Sequence, residues 1–285
     1  MREKKRSNKR FLFIKQLPVR LFMVAGMVTV VFPLLWNLVT SFKSSEEIME
    51  NPWSLPEKLH FENYVNAYMT SDMARNSLNS VFVVIISLLL LLLFAVPAAY
   101  VLSRYRLRIL AVISAIYMAC IFIQAPYILV PLFLQLQPIH LLDTLFGLCL
   151  VYAVVRFPFT IFLLSGFFRE IPNDYMEAAM MDGCTYTQTF FNIMVPLAKP
   201  GIFTCSLLAV IEYWNEYPIA MTLVQSPSKY TLPVGLANLF EVQRYATDWG
   251  ALFAGLMIVL VPTLLVYCFT QEKLTQGMNV GGIKG

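Results

Sequence analysis

Charge is what this sequence has least of. Asp, Glu, Lys and Arg make up 13% of its 285 residues, 58% are hydrophobic, and the mean hydropathy is +0.66. A soluble domain carries about 25% charged residues, so this chain cannot clothe a water-facing surface and is built for lipid. Histidine is nearly missing: His60 and His140 stand far apart and unaccompanied, which argues against a haem or metal enzyme. Cys120, Cys149, Cys184, Cys205 and Cys268 are scattered, four of them inside apolar segments, with no C-x-x-C pair. Neither a disulfide framework nor a zinc site is indicated. No nucleophile–base pair stands out, which leaves a membrane enzyme without support. No internal repeat is visible either, which weakens an inverted-repeat secondary transporter.

What the chain does have is a set of long apolar runs, each near the roughly 20 residues a membrane helix needs. The net charge is +4, and cations are concentrated in MREKKRSNKR, with Lys15 and Arg20 beyond. A nucleic-acid arm is one reading of such a stretch, but a basic run directly before an apolar segment marks the cytoplasmic side of a span. Leu21 to Ser41 is the first span. It is long for a signal peptide's apolar region and no small-x-small cleavage site follows, so it reads as a retained helix. The next loop is rich in acids, Pro and aromatics and poor in cations, as an outer loop should be. Leu78 to Leu102 is the second span, kinked at Pro97, and Arg104, Arg106 and Arg108 follow as a second inside signal. The third span, Ile109 to Leu134, contains Gln124, Pro126 and Pro131; a broken helix beside a pathway and a simple kink both fit, the kink being the plainer.

The fourth span runs from Leu142 to Phe168, the fifth from Ile202 to Val224 and the sixth from Gly250 to Phe269. The fold expected is an all-α membrane protein of about six transmembrane helices with both termini cytoplasmic. Its parts are a basic arm over 1–20, a first helix over 21–41, an outer loop over 42–77, a core of five helices over 78–271 and a cytoplasmic tail over 272–285. An outer loop, Gln225 to Trp249, joins the last two spans.

Between the fourth and fifth spans lies a long polar interruption, IPNDYMEAAMMDGCTYTQTFFNIMVPLAKPG, residues 171–201. Asn173 or Asp174 is a candidate N-cap, and Tyr175 to Met181 are mostly good helix formers. Gly183 breaks the run, a second short helix follows from Thr185 to Ile193, and Pro196 and Pro200 stop it. The product is a helix–Gly–helix elbow tethered to the membrane at both ends. A docking surface needs such a build and a linker does not.

Glu177-Ala178-Ala179, three residues, Gly183, nine residues, then Ile193-Met194-Val195-Pro196 resembles the EAA signature of ATP-binding-cassette (ABC) importer permeases, departing only in Val195 for Leu. Trp214-Asn215-Glu216-Tyr217 resembles the WNE segment of carbohydrate permeases similar to the smaller maltose-system subunit. Thr231-Leu232-Pro233-Val234-Gly235-Leu236 with Trp249-Gly250, Glu62-Asn63-Tyr64, and the tail from Gln276 to Gly285 extend the likeness over nearly the whole chain. The tail departs at Met278, Asn279, Gly281 and Ile283. The resemblance implies a type I ABC importer fold in the bacterial cytoplasmic membrane. It also implies partners: a second related permease subunit, two copies of a cytoplasmic ATPase that bind the ATP and Mg, and an external sugar-binding protein. No nucleic acid, no metal and no cofactor is expected on this chain, nor any catalysis.

The same resemblance assigns ATPase coupling to Glu177, Ala178, Ala179, Asp182, Gly183, Ile193 and Pro196; an amphipathic connector is the bland alternative. Polar groups at membrane depth are costly and face a cavity or a partner. Glu212, Asn215 and Glu216, expected on one helical face, therefore line a pathway or form a network between helices. Trp214 and Tyr217 are candidates to stack on a sugar ring or to pack at an interface, and Gln124 is a further pathway candidate. Arg156 facing lipid costs about 2.5–3.5 kcal/mol, so it is expected in a structural ion pair, with Glu212 or Glu216 as partner. The rival to an ATP-driven importer is an ion-coupled transporter using Glu212 or Glu216 as its coupling carboxylate.

Overall fold

In a computed structural model the apolar runs are helices, and the structure describes residues 2–70, 72–105, 107–242 and 248–281, with side chains over 18–70, 72–105, 107–240 and 248–271. α1 (Arg2–Thr40), α2 (Ser45–Glu50), α3 (Glu62–Thr70) and α4 (Met73–Arg104) come first. α5 (Arg108–Cys120), α6 (Ala125–Leu136) and α7 (Leu145–Glu170) follow. The elbow holds α8 (Asp174–Met181), α9 (Tyr186–Thr189), a π-helical turn (Phe190–Met194) and α10 (Val195–Leu197). Next are α11 (Lys199–Asn215), α12 (Pro218–Leu223), a 3-10 turn (Pro227–Lys229), α13 (Leu232–Val242) and α14 (Trp249–Gly281). No strand occurs among the described residues.

Among the described residues, four helices are long and apolar enough to cross a membrane: Pro18–Thr40, Met73–Arg104, Leu145–Glu170 and Trp249–Gln271. Two bent pairs raise the number to six if each is one span: Arg108–Cys120 with Ala125–Leu136, bent by 107°, and Tyr186–Leu197 with Lys199–Asn215, bent by 70°. The third span is thus broken rather than kinked. Pro126 has no N–H to give a helix interior, so it sits in the first turn of α6, and the chain turns just before it.

The chain divides into two compact units, Met1–Met69 with Phe240–Ile258 and Thr70–Leu239 with Val259–Gly285. In the first, the segment read as an outer loop is partly helical. Ser44 and Glu47 form a capping box that starts α2. Lys43 is fully buried, its Nζ donating to the Asn51 carbonyl at 2.8 Å and the Ser54 hydroxyl at 2.9 Å. Asn63 Nδ2 donates to the carbonyls of Ser41 and Lys43 at 2.9 and 2.8 Å, and a Cβ on Gly250 would meet Asn63 at 2.6 Å. In contrast, α1 leaves its apolar residues from Val19 to Phe32 exposed.

In the second unit α4 packs along α7. In lipid the hydrophobic effect does not draw helices together; close packing and hydrogen bonds do, and both favour small residues at the seam. Ser80, Val84, Ser87, Leu91, Ala95 and Ala99 form one buried stripe of α4 at helical spacing. The facing stripe of α7 includes Leu148, Cys149, Tyr152, Ile161, Leu164 and Phe168. The Ser165 hydroxyl donates to the Ala99 carbonyl at 3.4 Å.

The expected outer loop Gln225 to Trp249 also contains a helix, α13. Pro233 falls in its first turn, where a missing N–H costs nothing. Gly235 is required by contact: a Cβ there would lie 2.0 Å from Asn76 Nδ2 on α4. The expected tail begins inside α14, whose backbone is helical to Gly281. The tail's side chains and those of the basic arm through Leu17 lie outside the described residues.

Candidate functional site

Two clusters carry chemistry, both in the second unit. The elbow is the first. α8 ends in a double backbone cap: Cys184 N–H donates to Ala179 O at 2.9 Å and Gly183 N–H to Met180 O at 3.1 Å. This pattern requires a left-handed residue, and Gly183 supplies it with φ +84°. Thr185 then opens α9 with a capping box, Thr185 N–H donating to Gln188 Oε1 at 2.8 Å and Gln188 N–H to Thr185 Oγ1 at 3.3 Å.

On this frame Glu177, Ala178, Asp182, Gly183 and Pro196 are exposed, Ile193 is half-buried and Ala179 is buried. Two expectations are corrected. Asn173 occupies the N-cap position but makes no capping bond; its Oδ1 accepts from Arg104 Nη1, while Arg104 Nη2 donates to the Ile171 carbonyl at 2.6 Å. Pro196 does not stop the second helix, which continues to Leu197 and breaks at Ala198. Because Pro196 has no N–H, the wider π-turn just before it absorbs the irregularity.

The elbow is fastened to α4. The Phe190 ring packs on Tyr100 with centroids 5.0 Å apart, and the Tyr100 hydroxyl meets Met176 Sδ at 3.6 Å. Met194 is fully buried beneath it.

The second cluster joins α7 to the end of α11. Arg156 Nη1 forms an ion pair with Glu212 Oε2, and the guanidinium also lies over the Phe159 ring, 4.4 Å from its centroid. Four residues before Arg156 and four after Glu212, the Tyr152 hydroxyl donates to Glu216 Oε2. Glu216 is not on the helical face expected for it: α11 ends at Asn215, and Glu216 is extended. Pro218 explains the break, being tolerated only in the first turn of the next helix. The freed carboxylate accepts the Ile219 N–H at 2.7 Å and the Ala220 N–H at 3.0 Å, so it caps α12. Tyr213 stacks on Tyr152 with centroids 5.3 Å apart and donates to its carbonyl at 3.2 Å.

Glu212, within this cluster, and Asn215 beside it are exposed. Asn215 Nδ2 donates to the Ile211 carbonyl at 2.7 Å, and Thr263 Oγ1 donates to Asn215 Oδ1 at 3.3 Å. Trp214 points elsewhere: its Nε1 donates to Val259 O at 3.3 Å, and its ring lines an apolar cavity of about 220 Å³ with Val81, Val84 and Pro262. Tyr217 is half-buried with its hydroxyl on Met221 Sδ. Gln124 is exposed at the start of α6, on a different element from this cluster. Among the described residues no three His, Cys, Asp or Glu side chains converge as metal ligands would.

Sequence reasoning missed Tyr152, which carries no signal beyond standing four residues before Arg156. It also missed a clasp between the loop before α7 and the loop after α12. Asp143, with φ +54°, accepts the N–H groups of Gln225 and Ser226 at 3.0 and 2.9 Å and the Ser226 hydroxyl, and it pairs with Lys229 Nζ at 3.1 Å. Burial opposes ionisation of Asp143, but these donors together outweigh it and hold its carboxyl well below the usual range.

With this geometry in view, the comparisons with known proteins are specific. Residues 91–271 match the family of binding-protein-dependent transport system inner membrane components. The chain is 39% identical over 254 residues to the diacetylchitobiose uptake system permease protein NgcG of Streptomyces coelicolor, covering 89% of this chain and 84% of that one. It is 34% identical over 277 residues to the sulfoquinovosyl glycerol transport system permease protein SmoH of Agrobacterium fabrum, covering 96% of each. A crystal structure of a bacterial ABC transporter involved in the import of the acidic polysaccharide alginate contains a chain superposing with a TM-score of 0.80 at 25% identity, over 91% of this chain and 96% of that one. The likeness spans fold and sequence together: this chain belongs to the inner-membrane permease components of binding-protein-dependent ABC transport systems, and is a multi-pass membrane protein.

Proposed function

We propose that this chain forms half of the translocation pathway of an ATP-driven oligosaccharide importer, and that residues 171–201 are the element through which a cytoplasmic ATPase moves it. The observation that carries this reading is the build of the elbow. A double-capped α8 and a boxed α9 make a rigid corner around Gly183, with Glu177, Ala178 and Asp182 exposed on it. The corner is gripped by Arg104 and Tyr100 of α4 and runs through α10 into α11. A push on it reaches the span that ends in the Glu212–Glu216 cluster.

In this account the elbow and both termini are cytoplasmic. A second, related permease subunit completes the pathway, two ATPase copies bind ATP and Mg and perform the chemistry, and a binding protein delivers cargo from outside. This chain catalyses nothing. Alternating access needs two packings of similar stability whose balance the partners shift. Support for a carbohydrate cargo comes from the relatives, named for diacetylchitobiose and sulfoquinovosyl glycerol uptake. The ion-coupled alternative requires a carboxylate free to load a cation, whereas Glu212 is held by Arg156 and Glu216 by three donors. The test is reconstitution with the partner subunits in liposomes. Uptake of the binding protein's sugar should require ATP and stop with vanadate; uptake driven by an ion gradient without ATP refutes the reading.

A further inference from the structure

We propose that the Arg156–Glu212 pair sets the charge class of the cargo, so that uncharged saccharides are accepted and anionic ones refused. The proposal rests on the reading of this chain as a saccharide-importer permease and adds to it a residue-level basis for selectivity.

Depth is the first argument. At 1.5 Å per residue, Arg156 lies about 16 Å from the first residue of α7 and about 21 Å from its last, near the middle of the span. A charge there faces protein or water, because lipid makes it too costly. The backbone is the second. α11 stops at Asn215 and α12 starts at Pro218, leaving two non-helical residues, Glu216 and Tyr217, between them. Non-helical backbone at membrane depth is tolerated only where it is buried in protein or lines a watery cavity. Glu212, whose side chain is 45% exposed, and exposed Asn215 border this break, so the polar strip belongs on the aqueous side.

Charge is the third. Arg156 is only 14% exposed and its charge is spent on Glu212. Glu216 accepts from Tyr152, Ile219 and Ala220, so its oxygens are already engaged within the protein. Arg156 and Glu212 therefore cancel each other, in surroundings that screen charge poorly. Hydroxyl groups of a neutral saccharide can donate to the open side of Glu212 and to Asn215. A uronate must instead displace Glu212 from Arg156 within reach of Glu216. Remove the Glu212 charge, and Arg156 becomes an uncompensated cation that recruits anions.

The test uses the complete importer in nanodiscs without its binding protein, so that delivery does not filter the probes. Saturation-transfer NMR compares diacetylchitobiose, which is neutral, with digalacturonate. Wild type should favour the neutral disaccharide by tenfold or more, and Glu212→Gln should reverse the order. Arg156→Gln, which leaves Glu212 charged, should still refuse digalacturonate, and it serves as the arm to read if Glu212→Gln fails to assemble. An unchanged ratio in Glu212→Gln, acceptance of digalacturonate by Arg156→Gln, or no signal from either probe in wild type each overturns the proposal. None of these results touches ATP-dependent uptake, so the proposed function stands or falls separately.

Discussion

Replacing Gly183 isolates the conformation of one backbone residue. A Cβ at this position meets nothing within 4 Å, so substitution creates no clash, and any effect comes from φ +84°. A left-handed conformation costs an ordinary L-residue about 1–2 kcal/mol, and Asn pays less because it visits that region readily. Proline is worse on two counts. Its ring fixes φ near −65°, and it removes the N–H that donates to Met180 O at 3.1 Å. Adding about 1 kcal/mol for that bond gives a penalty of at least about 2–3 kcal/mol. Since about 1.4 kcal/mol is a factor of ten, the native corner should lose roughly fivefold to thirtyfold in population with Ala and on the order of a hundredfold with Pro. No spanning segment is touched, so the amount of protein in the membrane should not change. The assay is ATPase activity of the reconstituted importer, stimulated by cargo-loaded binding protein, beside cargo uptake. Coupling should fall in the order Gly, Asn, Ala, Pro, with basal hydrolysis retained while uptake is lost. Wild-type uptake by Gly183→Pro, or equal losses for Asn and Ala, would refute the reasoning.

Three further outcomes follow from contacts elsewhere. Asp143→Asn should lower the melting temperature at pH 7; because the native carboxyl is held below its ordinary value of 3.8, the gap to wild type should stay constant above about pH 5 and shrink as pH falls below about 4. A gap that widened with acid would contradict the clasp. Gly235→Ala drives a Cβ to 2.0 Å from Asn76 Nδ2 and should destabilise by about 1–3 kcal/mol, whereas Gly26→Ala, with nothing within 4 Å, should not; fluorescence-detected size-exclusion melting separates them. Tyr152→Phe deletes a hydrogen bond to a carboxylate, worth about 1.5–3 kcal/mol, and should lower both thermal stability and uptake. Full uptake in that variant would show that the Tyr152–Glu216 link is idle.

The sequence announces some of this structure and hides the rest, for physical reasons. Long apolar runs make α4, α7 and α14 visible, because a helix is the one local solution that satisfies its own backbone in lipid. Gly183 was legible as a turn, since its neighbours are helix formers and glycine has no other reason to stand there. The two bent spans were not. A proline marks where a helix is weak, but neighbouring helices decide whether it is carried inside a continuous helix, as Pro97 is in α4, or stands just after a break, as Pro126 and Pro218 do. The spacing of Glu212, Asn215 and Glu216 implied one face, and Pro218 moved Glu216 off it. Tyr152 and the Asp143 clasp depend on partners more than 60 residues away, which no local pattern encodes.

The central claim is that the exposed corner of the elbow docks on an ATPase. Ala178 is exposed there, so a cysteine at that position, with Cys184 replaced by Ser, offers a single thiol on the corner. Short bifunctional cross-linking in membranes containing the whole importer should join Ala178→Cys to the ATPase subunit, with a yield that changes when ATP is occluded. Tyr127→Cys, 77% exposed at the start of α6, should give no such product. Cross-linking from Tyr127→Cys with none from Ala178→Cys would contradict the account.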